Sequence, residues 1–295
     1  MQCSSERLTL EKALDDFLRS LEGRNRSAAT IRAYRTDILQ FIIWLRQNNL
    51  TITNPEQVAK IDITEFLAFL AERRVSGVSR ARKVAAIREY FRFCEEHGII
   101  QKSPATTIPV PKKEKHNRLY LVPSEYTKML SLAGANVRDY AILQVFLQTG
   151  VRVSELVALR RDDIDFERRT LLVRVGKGMV ARTIELEKKA LQAIKNYLDR
   201  RPRVMYEELF LNRDDAPFSE RGVRKLVVKY RVSAGITKKA SCHSLRHTFA
   251  THKAERGVSP YQLRDWLGHA SLETTQIYVH LSKQNAQKAM EATSL

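Results

Sequence analysis

Apolar residues recur at helical spacing from Leu8 to about Pro104 and predict a bundle of four helices. The first helix is expected to end at Gly23, and Ser27 is suited to cap the start of the second. A third helix is predicted from about Ile63 to Glu72 and a fourth from about Ser79 to His97. The positions predicted to face the core on the second and fourth helices are Ile31, Tyr34, Ile38, Phe41, Ile42 and Leu45, then Val84, Ile87, Tyr90, Phe91 and Cys94.

This pattern is interrupted by a proline-rich basic stretch. Pro109 and Pro111 remove backbone donors, so residues 106–122 are predicted to form a linker. The remainder is mostly helical, with a β-hairpin predicted from the alternating Thr170–Val175 and Arg182–Leu186 around a glycine-containing turn. We therefore expect a mainly α fold with a small antiparallel β-sheet, divided into residues 1–105, the linker and residues 123–295.

The charge of the chain points to a polyanionic partner. Lys and Arg number 51 against 33 Asp and Glu, which gives a formal charge of +18. Nucleic acid, an anionic membrane and a merely solvated surface are the competing explanations. No stretch reaches the roughly 18 apolar residues of a spanning helix, and the chain begins without a signal-peptide pattern. The three widely spaced cysteines indicate neither a disulfide framework nor a thiolate metal site, so a cytoplasmic protein that binds nucleic acid is expected.

The fourth helix and the linker carry the cations best suited to a DNA backbone. They are Arg80, Arg82, Lys83, Arg88 and Arg92 on the polar side of the helix, and Lys112, Lys113 and Lys115 in the linker. The alternative for the helix is an ordinary solvated face. In a chain of this charge, contact with DNA phosphates is the favoured interpretation. Two domains joined by a basic linker would form a C-shaped clamp around a duplex.

Two arginines in the second domain are candidates for anion binding. Arg152 follows a Thr-Gly pair and opens a predicted helix, where free backbone N–H groups add to its charge. Its alternative role is a surface ion pair with Glu155 or Asp162. Arg246 lies three residues after His243 on a predicted helix, so the two share a face.

A zinc site is an alternative use of the same helix, because His243 and His247 are one turn apart. This alternative is disfavoured because the helix lacks the glutamate of a metalloprotease and because Arg246 lies between the two rings. Three further residues are weak candidates when each is taken alone. Lys177 is predicted at the hairpin tip, His269 lies in a Gly-His turn, and Tyr278 lies among apolar residues that would also suit a core position.

Taken in order, these residues resemble the signature of the tyrosine recombinases, the integrase-like enzymes that cut and rejoin DNA. That signature reads Arg, Lys, His-x-x-Arg, His, Tyr, and the likeness extends to the stretches 149–156 and 243–252 and to Gly268-His269, nine positions before Tyr278. The four-helix segment is similar to the core-binding domain of the family, so the resemblance covers the whole chain. Among subfamilies the chain is most similar to the compact Xer-like recombinases and to their transposon-encoded relatives.

The resemblance implies a mechanism built on a covalent intermediate. Tyr278 would attack a DNA phosphate and leave a 3′-phosphotyrosyl bond and a free 5′-hydroxyl. Lys177 would be the general acid for the departing 5′-oxygen, and His243 would manage the tyrosine proton.

The remaining signature residues would hold the phosphate. Arg152 and Arg246 would bind its non-bridging oxygens, and His269 would donate a hydrogen bond to it. Glu155 would orient its neighbours as a supporting residue. Because side chains supply the cations and the phosphotyrosyl bond preserves the phosphodiester energy, no metal and no cofactor are expected.

The resemblance also implies partners and leaves alternatives open. The expected partners are a double-stranded DNA recombination site and accessory proteins, and no membrane is expected. Monomers or dimers would assemble into a homotetramer on two such sites. Strand exchange would proceed through a Holliday junction. The expected roles are mobile-element resolution or integration, or chromosome dimer resolution. The alternatives are a non-catalytic DNA-binding regulator and a monomeric topoisomerase of the type IB kind. The tail, residues 279–295, carries a narrow apolar stripe that would dock on a neighbouring protomer or fold onto its own domain.

Overall fold

Two separate hydrophobic cores divide the chain. The computed structural model describes residues 8–111, 119–174 and 181–268. Its two units are Met1–His116 and Asn117–Leu295. Within the described ranges, helices dominate and one small antiparallel sheet is present, which confirms the predicted fold class. No helix in these ranges is long and apolar enough to cross a membrane.

The first unit is built from the four predicted helices. They are α1 (Leu10–Gly23), α2 (Ala28–Asn48), α3 (Lys60–Glu72) and α4 (Gly77–Glu96). Ser27 caps α2 as predicted, with its side chain accepting a bond from the backbone N–H of Thr30. Ser76 caps α4 in the same way through Ser79, so α4 begins before the predicted Ser79.

Aromatic side chains fill the core of the first unit. Phe17, Phe41, Phe66 and Phe91 are almost completely buried, and burying each contributes about 2–3 kcal/mol to folding. The hydroxyl of Tyr90 donates a 3.1 Å hydrogen bond to the carbonyl of Leu10, which ties α4 to the start of α1. The predicted inward positions of α4 are all buried.

The second unit packs helices around the sheet. Its elements in chain order are α5 (Pro123–Ala133), α6 (Val137–Thr149), α7 (Val153–Ala158), β1 (Ile164–Asp165), β2 (Thr170–Val173), β3 (Arg182–Glu185), α8 (Lys188–Leu198), α9 (Glu220–Ser233), α10 (Cys242–Glu255) and α11 (Pro260–Leu267). The strands pair in the order β1-β2-β3, all antiparallel. The pairing of β2 with β3 confirms the predicted hairpin, and Val173 lies opposite Arg182. The strand β1 was not predicted, because two residues are too few to show an alternating pattern.

Both ends of the predicted linker pack into the units. Ile108 is buried in the first core, and Leu121 is buried in the second. The backbone of Leu121 is held by α10, since its N–H donates to Thr248 and its carbonyl lies 2.9 Å from Nε2 of His252. Ile108 and Leu121, which lie within the predicted linker, therefore belong to the two cores, and residues 112–118 lie outside the described ranges.

Candidate active site

Arg152 lies where the chain turns from α6 into α7. Gly150 ends α6 with a left-handed φ of 62°, and a Cβ at this position would lie 2.4 Å from Cδ1 of Phe249. Glycine is therefore required both by the backbone conformation and by the packing. Arg152 is the N-cap of α7, and its backbone N–H donates a 2.7 Å hydrogen bond to the carboxylate of Glu155. The local sequence thus fixes the arginine backbone before its side chain makes any contact.

Glu155 is the acidic centre of this region. Its carboxylate accepts hydrogen bonds from Nη1 of Arg152 at 2.8 Å and from both terminal nitrogens of Arg182 at 3.0 and 2.7 Å. Burial acts to raise the pKa of Glu155, but the bonds from Arg182 and Arg152 outweigh it and lower the pKa to about 2. Glu155 is therefore ionised at neutral pH, and its carboxylate binds the guanidinium groups of both Arg152 and Arg182.

Arg246 lies on α10 and is only 3% exposed. Its guanidinium donates a 2.8 Å bond to the carbonyl of Gly150 and a 2.6 Å bond to the carbonyl of Leu267. It thereby joins the end of α6 to the end of α11. A buried guanidinium keeps its charge in proteins and therefore needs acceptors such as these two carbonyls.

The end of α11 is the point where three arginines meet. Three consecutive backbone carbonyls each accept a bond from a different guanidinium. The pairs are Trp266 with Arg182 at 2.7 Å, Leu267 with Arg246 at 2.6 Å and Gly268 with Arg152 at 3.1 Å. Carbonyls at a helix C-terminus carry partial negative charge, which favours cations at this end.

His243 and His247 lie near the start of α10. His243 is exposed, whereas Arg246 on the same helix is buried. The rings of the two histidines meet edge to face, with centroids 4.5 Å apart. Among the described residues, no group of three or more His, Cys, Asp or Glu side chains is placed to hold a metal ion.

Several predicted site residues lie outside the described ranges. They are Lys177, His269 and Tyr278 of the signature, the linker residues Lys112, Lys113 and Lys115, and the whole tail from residue 279. Of the signature, the structure therefore brings together Arg152 and Arg246, with the supporting Glu155 paired to Arg152, and places His243 on the helix that carries Arg246.

The basic residues of α4 do not form the uniform polar side that the sequence predicted. Arg82 and Arg92 have side chains 53% exposed and pair with carboxylates. The placement of Lys83 on that side is wrong, because its ammonium is buried and donates to Asp37 at 2.7 Å and to Gln40 at 2.6 Å. A buried acid on α2 accounts for this, since an unpaired buried charge is costly.

The other two members of that set are half-buried. Arg88 donates to the carbonyl of Ile108 and so holds the chain that leaves α4, and Arg80 lies at an intermediate depth. The exposed cations of α4 in the predicted set are therefore Arg82 and Arg92.

Sequence reasoning missed the role of Arg182 in this region. Its strand β3 alternates, and Arg182 lies on the same face as the buried Ile184. An arginine on the inward face of a strand needs a buried acceptor. That alternation is the signal that could have identified it.

Comparisons with known proteins identify the family. Residues 120–285 match the Phage integrase family, and residues 14–98 match the Phage integrase N-terminal SAM-like domain. Tyrosine recombinase XerD of Listeria innocua is 33% identical over 281 residues, which span 92% of this chain and 94% of that protein. Tyrosine recombinase XerC of Roseiflexus castenholzii is 34% identical over 290 residues, with 94% and 91% covered.

A solved structure has the same fold. The crystal structure of a lambda integrase tetramer bound to a Holliday junction matches with a TM-score of 0.75 at 21% identity, covering 93% of this chain and 78% of that one. The fold, the family matches and the relatives agree. The chain belongs to the phage integrase family, and it is a site-specific tyrosine recombinase.

Proposed function

We propose that this recombinase cuts and rejoins double-stranded DNA with Tyr278 as the nucleophile. The hydroxyl of Tyr278 would attack one phosphate, form a 3′-phosphotyrosyl bond and release a 5′-hydroxyl. The observation that carries this proposal is the meeting of Arg152 and Arg246 at the end of α11. His269 follows that helix end directly in the sequence, and Tyr278 lies nine residues further on.

Arg152 and Arg246 are proposed to bind the non-bridging oxygens of the phosphate. The side chain of Arg152 is 33% exposed, and among the described residues its two side-chain bonds use two of the five N–H groups of a guanidinium, which leaves donors for a phosphate. The bonds of Arg152 and Arg246 to the adjacent carbonyls of Gly268 and Leu267 hold two guanidinium charges at one place, beside the single carboxylate of Glu155 that pairs with Arg152. Such a fixed excess of positive charge stabilises the charge that develops in the transition state.

Proton transfer is assigned to Lys177 and His243, and two further residues support the binding of the phosphate. Lys177 is proposed as the general acid for the departing 5′-oxygen, because an alkoxide is a poor leaving group. His243, exposed near the start of α10, is proposed to manage the proton of the tyrosine. His269 is proposed to donate a hydrogen bond to the phosphate, and Glu155 to orient Arg152.

The proposed partner is a duplex recombination site, and the proposed assembly is a homotetramer on two such sites. The charge of +18 supports DNA as the partner, and the lambda integrase of similar fold is a tetramer on a Holliday junction. The exposed Arg82 and Arg92 and the linker residues Lys112, Lys113 and Lys115 are proposed to contact phosphates. The proposed location is the cytoplasm, and the proposed roles are mobile-element integration or resolution and chromosome dimer resolution.

A nicked suicide duplex carrying the target site tests the nucleophile. The wild type should form a covalent protein–DNA adduct that denaturing gels separate. Tyr278→Phe should bind the same duplex with unchanged affinity and form no adduct, because only the phenolic oxygen is lost. Tyr261→Phe is the matched control, since Tyr261 is an exposed tyrosine on α11, and its adduct yield should equal that of the wild type.

The same assay separates the alternative functions. An adduct in Tyr278→Phe would contradict the assignment of the nucleophile. A wild type that binds but never forms an adduct would indicate a DNA-binding regulator. Relaxation of supercoiled DNA without paired sites would indicate a monomeric topoisomerase.

A further inference from the structure

Arg182 is the one arginine at the end of α11 for which the proposed chemistry has no role. Its side chain is only 9% exposed. Its three nitrogens all donate to the protein itself, two of them to the carboxylate of Glu155 and the third to the carbonyl of Trp266. These bonds connect β3 to α7 and to α11. Arg182 therefore links the residue that orients Arg152 to the helix that leads toward His269.

The backbone of Gly268 packs against the guanidinium of Arg182. A Cβ at Gly268 would lie 2.9 Å from Nη1 of Arg182 and 3.2 Å from its Cζ. Gly268 also has a left-handed φ of 61°, which ends α11. The guanidinium thus fixes the end of this helix both by a hydrogen bond and by steric contact.

We propose that Arg182 is a positioning residue for strand cleavage, which holds Glu155 and the end of α11 in one geometry and so fixes the guanidinium of Arg152. This inference rests on the proposed function, because it assigns the binding of phosphate to Arg152. A planar guanidinium can satisfy both carboxylate oxygens and a carbonyl at once, whereas a lysine ammonium is a point charge that cannot match this geometry.

The ionisation of Glu155 gives the inference a measurable signature. The charged groups that face its carboxylate are Arg152 from its own helix and Arg182 from β3, while Arg246 from α10 bonds the adjacent carbonyl of α11. Burial acts to raise the pKa of Glu155, and the bond from Arg182 is the largest influence that lowers it. Loss of Arg182 should therefore raise the pKa of Glu155, so that acid protonates it and releases Arg152.

Single-turnover cleavage of the nicked duplex, at saturating protein and from about pH 8 to about pH 5, tests this inference. Arg182→Gln should lower the maximal cleavage rate about 10²-fold at neutral pH, because a small displacement of a catalytic group has an effect of that size. The protein concentration that gives half the maximal rate should stay unchanged. The ratio of the variant rate to the wild-type rate should fall further as the pH falls. Taking this ratio cancels the titration of groups that both proteins share.

Two further variants make the test specific. Arg182→Lys keeps the positive charge, so the ratio of its cleavage rate to that of the wild type should depend less on pH. Its rate at neutral pH should still stay below that of the wild type, because the two parallel hydrogen bonds to Glu155 are lost. Arg174→Gln is the matched control, since Arg174 follows β2, is half-exposed and pairs with Asp163. Its maximal rate should equal that of the wild type. Thermal unfolding establishes that each variant is folded, and Arg182→Lys replaces Arg182→Gln if the latter does not fold.

A maximal rate equal to the wild type in Arg182→Gln would overturn the inference. A slow rate whose ratio to the wild type is constant with pH would also overturn it, since a general structural defect behaves in that way. Arg152→Ala separates this failure from failure of the proposed function. If Arg152→Ala is inactive and Arg182→Gln is fully active, only the role of Arg182 is wrong, whereas normal cleavage by Arg152→Ala would remove the proposed function itself.

Discussion

The arginines of α4 and the arginines around α11 use their charges in different ways. On α4, the side chains of Arg82 and Arg92 are half-exposed; Arg92 pairs with the part-exposed Glu89, and Arg82 pairs with the buried Asp37, which Lys83 also holds. Around α11, each arginine bonds to a backbone carbonyl that a helix end holds in place. A half-exposed cation can exchange its carboxylate for a phosphate, whereas a guanidinium bonded to a fixed carbonyl keeps a single orientation. The first arrangement suits attachment to DNA, and the second suits catalysis.

Substitution of Arg152 and Arg246, at the end of α11, should have the largest effect on cleavage. Arg152→Ala and Arg246→Ala should each lower the cleavage rate about 10²–10³-fold, because each removes a donor directed at transition-state charge. Their affinity for DNA should change far less, since the other cations of a chain with 51 Lys and Arg are proposed to supply most contacts with the DNA backbone. Single-turnover cleavage and band-shift titration of the same duplex measure the two quantities.

Arg160→Ala is the control for these two variants. Arg160 is half-exposed and pairs with Glu207, so its loss should leave the cleavage rate unchanged. Cleavage at the wild-type rate by both Arg152→Ala and Arg246→Ala would contradict the catalytic role proposed for the arginines around α11.

An intermediate effect is expected at the buried acid of the first unit. Asp37→Ala should lower the free energy of unfolding by about 3 kcal/mol, because it leaves the ammonium of Lys83 buried without its carboxylate. Urea unfolding of the full chain, followed by Trp44 fluorescence in a Trp266→Phe background, reports on this unit.

Asp15→Ala is the matched control for Asp37→Ala. Asp15 also pairs with an arginine, Arg35, but both side chains are more than half-exposed, so the cost should stay below about 1 kcal/mol. Equal losses in the two variants would show that burial of Asp37 does not set the strength of its ion pair.

The smallest change in stability is expected at the exposed cations of α4. Arg92→Gln should alter the free energy of unfolding by less than about 1 kcal/mol. The slope of log affinity against log salt concentration should fall by about 1, because one phosphate contact is lost. Band shifts over a series of salt concentrations measure this slope, and Arg19→Gln on α1 provides an exposed, ion-paired control. A slope unchanged by Arg92→Gln would remove α4 from the DNA interface.

The sequence allowed the helices of the first unit and the β-hairpin to be predicted, because periodicity and capping are local. Ser27 as a cap and the buried face of α4 are examples. The burial of Lys83 could not be predicted in the same way, because its partner Asp37 is 46 residues away on another helix. Spacing along one helix cannot show which polar residue meets an acid on its neighbour.

The candidate site shows the same limit. The pairing of Arg152 with Glu155 was among the alternatives predicted, since three residues separate them. The bonds of Arg182 and Arg246 to the end of α11 depend on tertiary packing. The roles of Lys177, His269 and Tyr278 stay predictions.

The junction at α11 has a consequence for how the chain folds. Two of its three hydrogen bonds join residues that are 84 and 116 positions apart in the sequence. Contacts of such long range form late, because closing large loops costs entropy. A complete chain therefore lacks the arrangement of arginines until its second unit has folded. Because the proposed cleavage needs these arginines together, we expect a chain whose second unit is unfolded to be unable to cut DNA.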